Sequence, residues 1–257
     1  MDNRASLIIE LEKIFRKRVF AIVYNRYDEE GVKEGDEKYF KNFIDEIIKK
    51  EHVRDCVLVL NGPGGNLKTS ILCSQLLRDN LLRYDSFVPT VVGSSLCYFV
   101  LQSDKLFIGE KSILTQMDPL FYYEGEYLRA IKHIHHQNAN KSFEARKVFN
   151  PVFDNLRRVI MTYPNVFERE VSKTSGKRNH YIQKVIDFWM GGEFHESGIK
   201  KEKLKGIINF KMVQPDIVNK AKELINKCAE ELERENLRFV IQTNKIDGNL
   251  YGGYFHN

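Results

Sequence analysis

Gly64 and Gly65 follow an apolar run, Cys56-Val57-Leu58-Val59-Leu60, and precede an amphipathic stretch. Glycines in that place admit backbone conformations that a side chain would obstruct, and they leave amides free at the start of a helix. Two such amides could hold a developing oxyanion, a large contribution in acyl-transfer chemistry. The plainer reading of Pro63-Gly64-Gly65 is a tight strand-to-helix turn. Ser94 follows a second apolar run, Phe87 to Val92, and opens a short helix. A serine there is by default an N-cap. Its chemical reading is a nucleophile at a sharp strand-to-helix turn, close to the glycine amides. Ser95 competes for either role, and spacing does not separate the two.

Other patterns carry less chemistry. Gly62-Pro63-Gly64-Gly65-Asn66-Leu67-Lys68-Thr69 nearly spells a phosphate-binding loop, but Leu67 stands where a glycine must precede the lysine. No apolar strand ending in a magnesium-associated aspartate follows at a suitable distance. His133, His135 and His136 fall in a segment of helical pattern, with no carboxylate at ligand spacing, so a solvated helix face explains them. No metal and no cofactor is expected. Trp189 beside Phe188 reads as packing in the core or at a subunit interface.

The elements around these residues alternate. Ser6 to Arg18 has a helical apolar stripe, Val19 to Tyr24 reads as a buried strand, and Asn25 to Asp36 as a loop. Glu37 to Lys50 is a second helix, followed by the strand that ends at Leu60. Helices near Leu67 to Arg83 and Ser94 to Gln102 flank the strand at Phe87 to Val92. Lys105 to Gly109 is a third apolar run in this part of the chain, leading into Ile113 to Pro119. Strands separated by helices predict an α/β fold with a parallel sheet and right-handed crossovers. Beyond Pro119 the pattern turns helical: Gly125 to Ala139, Ser142 to Thr162, Pro164 to Val171 and His180 to Met190, stopped by Gly191-Gly192. A short helical turn at Glu202 to Gly206, a strand at Ile207 to Val213 and a long helix at Asp216 to Asn236 follow. One β-like run, Phe239-Val240-Ile241, lies in the last stretch. The expected organisation is one domain over 1–236, with a helical insertion at about 125–190, and a tail over 237–257.

The bulk composition restricts the function classes. At 257 residues and 42% hydrophobic, the chain can build a full α/β core. Forty Lys and Arg against 35 Asp and Glu give a net charge of +5, a mixed surface that does not indicate a nucleic-acid partner. Cys56, Cys73, Cys97 and Cys228 form no CxxC pair, and three lie in predicted core segments, which fits reduced thiols in a cytoplasmic protein. No apolar run approaches the roughly 18 residues needed to span a bilayer.

Four separated blocks resemble the serine dehydrogenase proteinase family of the Clp-protease/crotonase fold, which is related to signal peptide peptidase A and the Clp proteolytic subunit. They are Leu60-Asn61-Gly62-Pro63-Gly64-Gly65-Asn66, Val88-Pro89 followed by Ser94, Leu114-Thr115-Gln116-Met117-Asp118-Pro119, and Gly191-Gly192-Glu193-Phe194-His195-Glu196. The last resembles the family's Gly-x-x-Thr-His-Asp block. The resemblance covers roughly residues 6–230, loosely between 121 and 190. It implies stacked βαβ units with a helical insertion and a C-terminal helix. It also implies a serine peptidase acting on peptides or unfolded chains as a homo-oligomer.

Carried over by position, Ser94 is the nucleophile, the Gly64 and Gly65 amides form the oxyanion hole, and His195 is the base, oriented by Asp118. A lysine base is the rival, with Lys132, Lys141 and Lys147 at plausible distance. The chain departs from the family in three places. Ser95-Leu96-Cys97 replace Ala-Gly-Thr after the serine, Phe194-His195-Glu196 replace Thr-His-Asp, and the membrane-anchoring segment of many members is missing. These departures keep two alternatives open: a catalytically silent scaffold, or a crotonase-type enzyme that polarises an acyl thioester.

Overall fold

The computed structural model describes residues 3–25, 31–162, 175–191 and 198–244. In chain order they form α1 (Asn3–Phe15), β1 (Arg18–Tyr24), α2 (Glu37–Phe43) running into a π-helical turn over Ile44–Lys49, β2 (Asp55–Asn61), α3 (Leu67–Asn80) and β3 (Arg83–Val88). Next come β4 (Val91–Val92), a 3-10 turn at Ser94–Leu96, α4 (Cys97–Leu101), β5 (Leu106–Ile108), β6 (Ile113–Leu114), β7 (Leu120–Tyr123) and β8 (Glu126–Arg129). The chain continues through α5 (Ala139–Thr162), α6 (Ser175–Met190), α7 (Lys201–Leu204), β9 (Phe210–Met212), α8 (Pro215–Arg234) and β10 (Phe239–Gln242).

A six-stranded sheet in the order β10-β1-β2-β3-β5-β9 forms the centre. Its strands run parallel except β10, which pairs antiparallel with β1. Alternation along the strands explains the layers, because successive side chains point to opposite faces. Val19, Ala21, Val23, Val57 and Val59 face α1 and α8, where Leu7, Ile8, Leu11, Ala221 and Leu224 bury their stripes. Phe20, Ile22, Leu58 and Leu60 face the larger core, which takes in α2, α3, α4, α5 and α6. Both faces of β1 and β2 are therefore buried, as parallel strands require, and each reads as an unbroken apolar run. At the N-terminal ends, Lys17 donates to Asp55 at 2.7 Å and to Asp85 at 2.8 Å, tying β2 to β3.

The expected α/β class with parallel strands holds, and several boundaries move. The segment expected to be helical from Gly125 is instead the end of a β-hairpin, β7 and β8, followed by a 3-10 turn at Ala130–Lys132. Glu124 and Gly125 both have positive φ, 51° and 89°, the geometry of a two-residue hairpin turn. Phe121 is buried on one face of the hairpin and Tyr122 is exposed on the other, a period of two that overrides the helical pattern. The strand expected over Ile207 to Val213 shrinks to β9, with Ile207 and Ile208 buried ahead of it. Arg83 opens β3 rather than closing α3. The sheet also takes in Phe239–Gln242, which lies within the stretch expected to be a tail. The helix expected over Pro164 to Val171 lies outside the described residues, as does everything past 244.

Candidate active site

Three connections leave the C-terminal ends of neighbouring strands: β2 into the glycine turn, β3 through β4 into Ser94, and β5 through β6 into Thr115 to Pro119. In an open α/β sheet, ligands bind at that edge. The small parallel pair β4–β6 sets the second and third connections side by side, Val92 opposite Leu114. The first is sewn to the second by Gly62 N–H on Val91 O at 3.1 Å and Gly93 N–H on Gly62 O at 2.9 Å.

Gly64 cannot be any other residue without movement. Its φ is +108°, and a Cβ there would lie 2.6 Å from Gly93 O and 2.7 Å from Ser94 Cβ. The glycine backbone therefore sits directly against the serine. On the other side Val32 N–H donates to Gly64 O at 2.5 Å, and Asn66 N–H donates to Val32 O at 2.6 Å. In a planar trans peptide the next N–H points opposite to the carbonyl. Holding Gly64 O toward Val32 thus aims the Gly65 N–H away from that loop. Among the described residues no backbone acceptor takes the N–H of Gly64 or Gly65. Asn66 then caps α3, its Oδ1 accepting from Thr69 N–H at 3.0 Å, so the resemblance to a phosphate loop reduces to a capped helix start.

The structure separates the two serines. Ser95 is 1% exposed, and its Oγ accepts a hydrogen bond from Ser70 Oγ at 2.9 Å, deep under α3. Ser94 is half-buried, lines a cleft of about 1010 Å³ together with Gly65 and Asp118, and has a left-handed backbone with φ of +43°. Its N–H donates to Thr115 Oγ1 at 2.7 Å. Ser94 is not the N-cap, since Gly93 holds that place and Ser94 is the first residue of the turn. Cys97, one turn on, is fully buried, and burial pushes its thiol up to about 12, so it does not compete as a nucleophile.

Asp118 lines the same cleft, as expected of a residue near Ser94, but its carboxylate is turned toward the hairpin. Its side chain is 1% exposed and ion-paired with Arg129 Nε of β8 at 2.9 Å. His195 lies outside the described residues. Of the lysines, Lys132 and Lys147 are exposed, Lys147 lying 3.7 Å from Glu144, and Lys141 sits over the Tyr123 ring at 5.5 Å from its centroid. None of the three lines the cleft, whereas Lys33 does. No sequence signal marks Lys33, because the charged stretch from Asn25 to Asp36 reads only as a loop. Tertiary pairing of Val32 with the glycine turn brings it to the site.

That loop is anchored from the far edge of the sheet. Arg238 donates to Gly31 O at 3.1 Å and is ion-paired with Asp36, which also accepts from Lys33 N–H at 3.0 Å. Burial raises the Asp36 pKa above its usual range even though Arg238 pulls it down. The remaining cleft lining is largely apolar, with Val32, Leu67, Met117 and Val148 among it. The arrangement offers a hydroxyl, a glycine turn packed against it and a cleft of mostly apolar lining. Among the described residues no group of three or more His, Cys, Asp or Glu could hold a metal. Among them, too, no helix is long and apolar enough to cross a membrane.

The sequence matches no family model and no curated protein. Solved structures similar to this chain include a stomatin-specific protease, ClpP1 and a probable enoyl-CoA hydratase. A variant of the 1510-N membrane-bound stomatin-specific protease is 15% identical over 75% of this chain and 78% of that chain, with a TM-score of 0.46. ClpP1 from Listeria monocytogenes is 15% identical over 80% and 96%, also with a TM-score of 0.46. A probable enoyl-CoA hydratase from Mycobacterium smegmatis is more distant, 13% identical over 68% and 90%, with a TM-score of 0.27. Identities this low carry no information about activity or substrate.

Proposed function

We propose that the protein is a serine peptidase that cleaves peptides or unfolded chains through an acyl-enzyme on Ser94. The observation that carries this reading is the left-handed Ser94, φ +43°, set against the backbone of Gly64 in an open cleft. A non-glycine residue held in that conformation at a strand-to-helix junction stores strain, and such strain collects at functional sites. The four sequence blocks that resemble the serine dehydrogenase proteinase family support a peptide substrate and a homo-oligomer. The four free, buried cysteines fit a reducing compartment such as the cytoplasm.

In the proposed reaction the Ser94 Oγ bonds to the scissile carbonyl carbon while its proton passes to a base. The carbonyl electron pair moves onto oxygen, where the amides of Gly64 and Gly65 receive it. Collapse breaks the C–N bond, and the amine departs with the proton held by the base. Water then repeats the sequence on the ester and frees the acid. His195 is the proposed base, by its place in the fourth block, and Lys33 is the competing group within the cleft. Arg129 Nε pairs with Asp118 Oδ2 alone, and a carboxylate has a second acceptor oxygen, so Asp118 can orient an imidazole with that ion pair in place.

Intact mass after incubation with a fluorophosphonate tests the reading on wild type, Ser94→Ala, His195→Ala and Lys33→Ala. One adduct on wild type that disappears in Ser94→Ala is the expected result, and loss in His195→Ala or Lys33→Ala identifies the base. A folded wild-type protein that takes no adduct would overturn the proposal.

A further inference from the structure

Five non-glycine residues have positive φ among the described residues: Arg16, His52, Ser94, Glu124 and Asn236. Arg16 and Asn236 follow the ends of α1 and α8, His52 follows the π-helical turn, and Glu124 turns the hairpin, all places where left-handed residues recur. Ser94 instead opens a helical turn, where nothing local favours that conformation. Something outside the turn must impose it.

Thr115 touches the serine's neighbourhood at three points. Its hydroxyl oxygen accepts the Ser94 N–H at 2.7 Å. Its own N–H donates to Val92 O at 3.1 Å, and its carbonyl accepts the Cys97 thiol at 3.2 Å. One residue therefore grips the chain before, at and after Ser94. The two backbone bonds survive any substitution other than proline, because they use no side-chain atom of residue 115. The grip on Ser94 itself depends on a side-chain oxygen.

We infer that Thr115 is a positioning residue for the nucleophile, its hydroxyl holding the Ser94 amide so that the Ser94 hydroxyl faces a bound carbonyl. This rests on the reading of Ser94 as the nucleophile. A second consequence concerns the oxyanion. With its N–H committed to Thr115, Ser94 has no amide of its own to offer the developing charge, which is left to neighbouring amides such as those of the Gly64–Gly65 turn.

The test compares Thr115→Val, which keeps the shape and removes the acceptor, with Thr115→Ser, which keeps the acceptor. Time-resolved intact mass on the full chain gives the affinity for a fluorophosphonate and the rate constant of adduct formation, with Ser94→Ala as the control. In that reaction Ser94 Oγ bonds to phosphorus, fluoride leaves, and the serine proton passes to the base. Thr115→Val should lower the rate constant about 10- to 100-fold, the size expected of a misplaced reacting group, with affinity unchanged. Thr115→Ser should react at close to the wild-type rate. A Thr115→Val protein that labels as fast as wild type would overturn the inference and leave the peptidase reading standing. So would equal losses in both variants. No adduct on wild type would remove the peptidase reading, and the positioning role with it.

Discussion

The carboxylate of Asp36 and the guanidinium of Arg238, 202 residues apart in the chain, form an ion pair with side chains 0% and 4% exposed. The same guanidinium holds Gly31 O, and Val32, the next residue, holds Gly64 O. An edge strand on one side of the sheet is thereby linked to the glycine turn beside Ser94.

Removing Arg238 leaves Asp36 buried without its countercharge. Arg238→Leu should cost about 3–5 kcal/mol in urea unfolding, and adduct formation at Ser94 should slow as the 31–36 loop loosens. The pH dependence has a definite sign. Burial raises the Asp36 pKa in the folded state, so this carboxyl contributes stability below its unfolded range near pH 4 and loses it as pH rises through the folded value. Without Arg238 the loss should steepen, and the variant should regain part of its stability on acidification from pH 7 toward pH 4. Equal deficits at both pH values would contradict the assignment.

Ser94→Gly separates stability from function. Glycine adopts φ of +43° without the strain that serine bears there, although it also loses more freedom on folding. The variant should match wild type or exceed it by up to about 1 kcal/mol in thermal or urea unfolding while taking no adduct. A clear destabilisation would mean that the Ser94 side chain has a structural role.

Gly64→Ala should do the opposite. The added methyl would meet Gly93 O at 2.6 Å and Ser94 Cβ at 2.7 Å, at a φ of +108° that alanine avoids. A loss of about 2 kcal/mol or more is expected, together with a large fall in labelling rate. Gly125→Ala makes a control, since its φ of +89° is strained too but nothing lies within 4 Å.

Ser95→Ala should keep the adduct. Its hydroxyl accepts the buried hydrogen bond of Ser70, and deleting it leaves a polar group without that partner, worth about 1–3 kcal/mol of stability. Calorimetry combined with intact mass reads both effects on one sample. An adduct that disappeared in Ser95→Ala but survived in Ser94→Ala would reverse the roles of the two serines.

The sheet was legible in the sequence wherever burial is complete. The runs at Val19 to Tyr24 and at Cys56 to Leu60 have both faces in cores, so every residue is apolar and the strand declares itself. The amphipathic α5 and α8 were equally plain, because a helix buried on one face repeats at a fixed period. The hairpin at Leu120–Arg129 was not. Its strands are four residues each with one face exposed, too short to outweigh the helical spacing around them. At the cleft, residue type and order pointed to Gly64, Gly65 and a serine without choosing between Ser94 and Ser95, and only the family resemblance pointed to Asp118 and His195.

Sequence alone therefore determined which residues are chemically capable, and that parallel strands would carry them to one edge. Tertiary structure decided what each is free to do. Ser95 is withdrawn by Ser70, Asp118 is turned to Arg129, and Lys33 is brought in by the pairing of Val32 with the glycine turn. These outcomes depend on contacts between distant segments. A hydrogen bond or ion pair forms only when the fold supplies its partner, and local spacing holds no record of it.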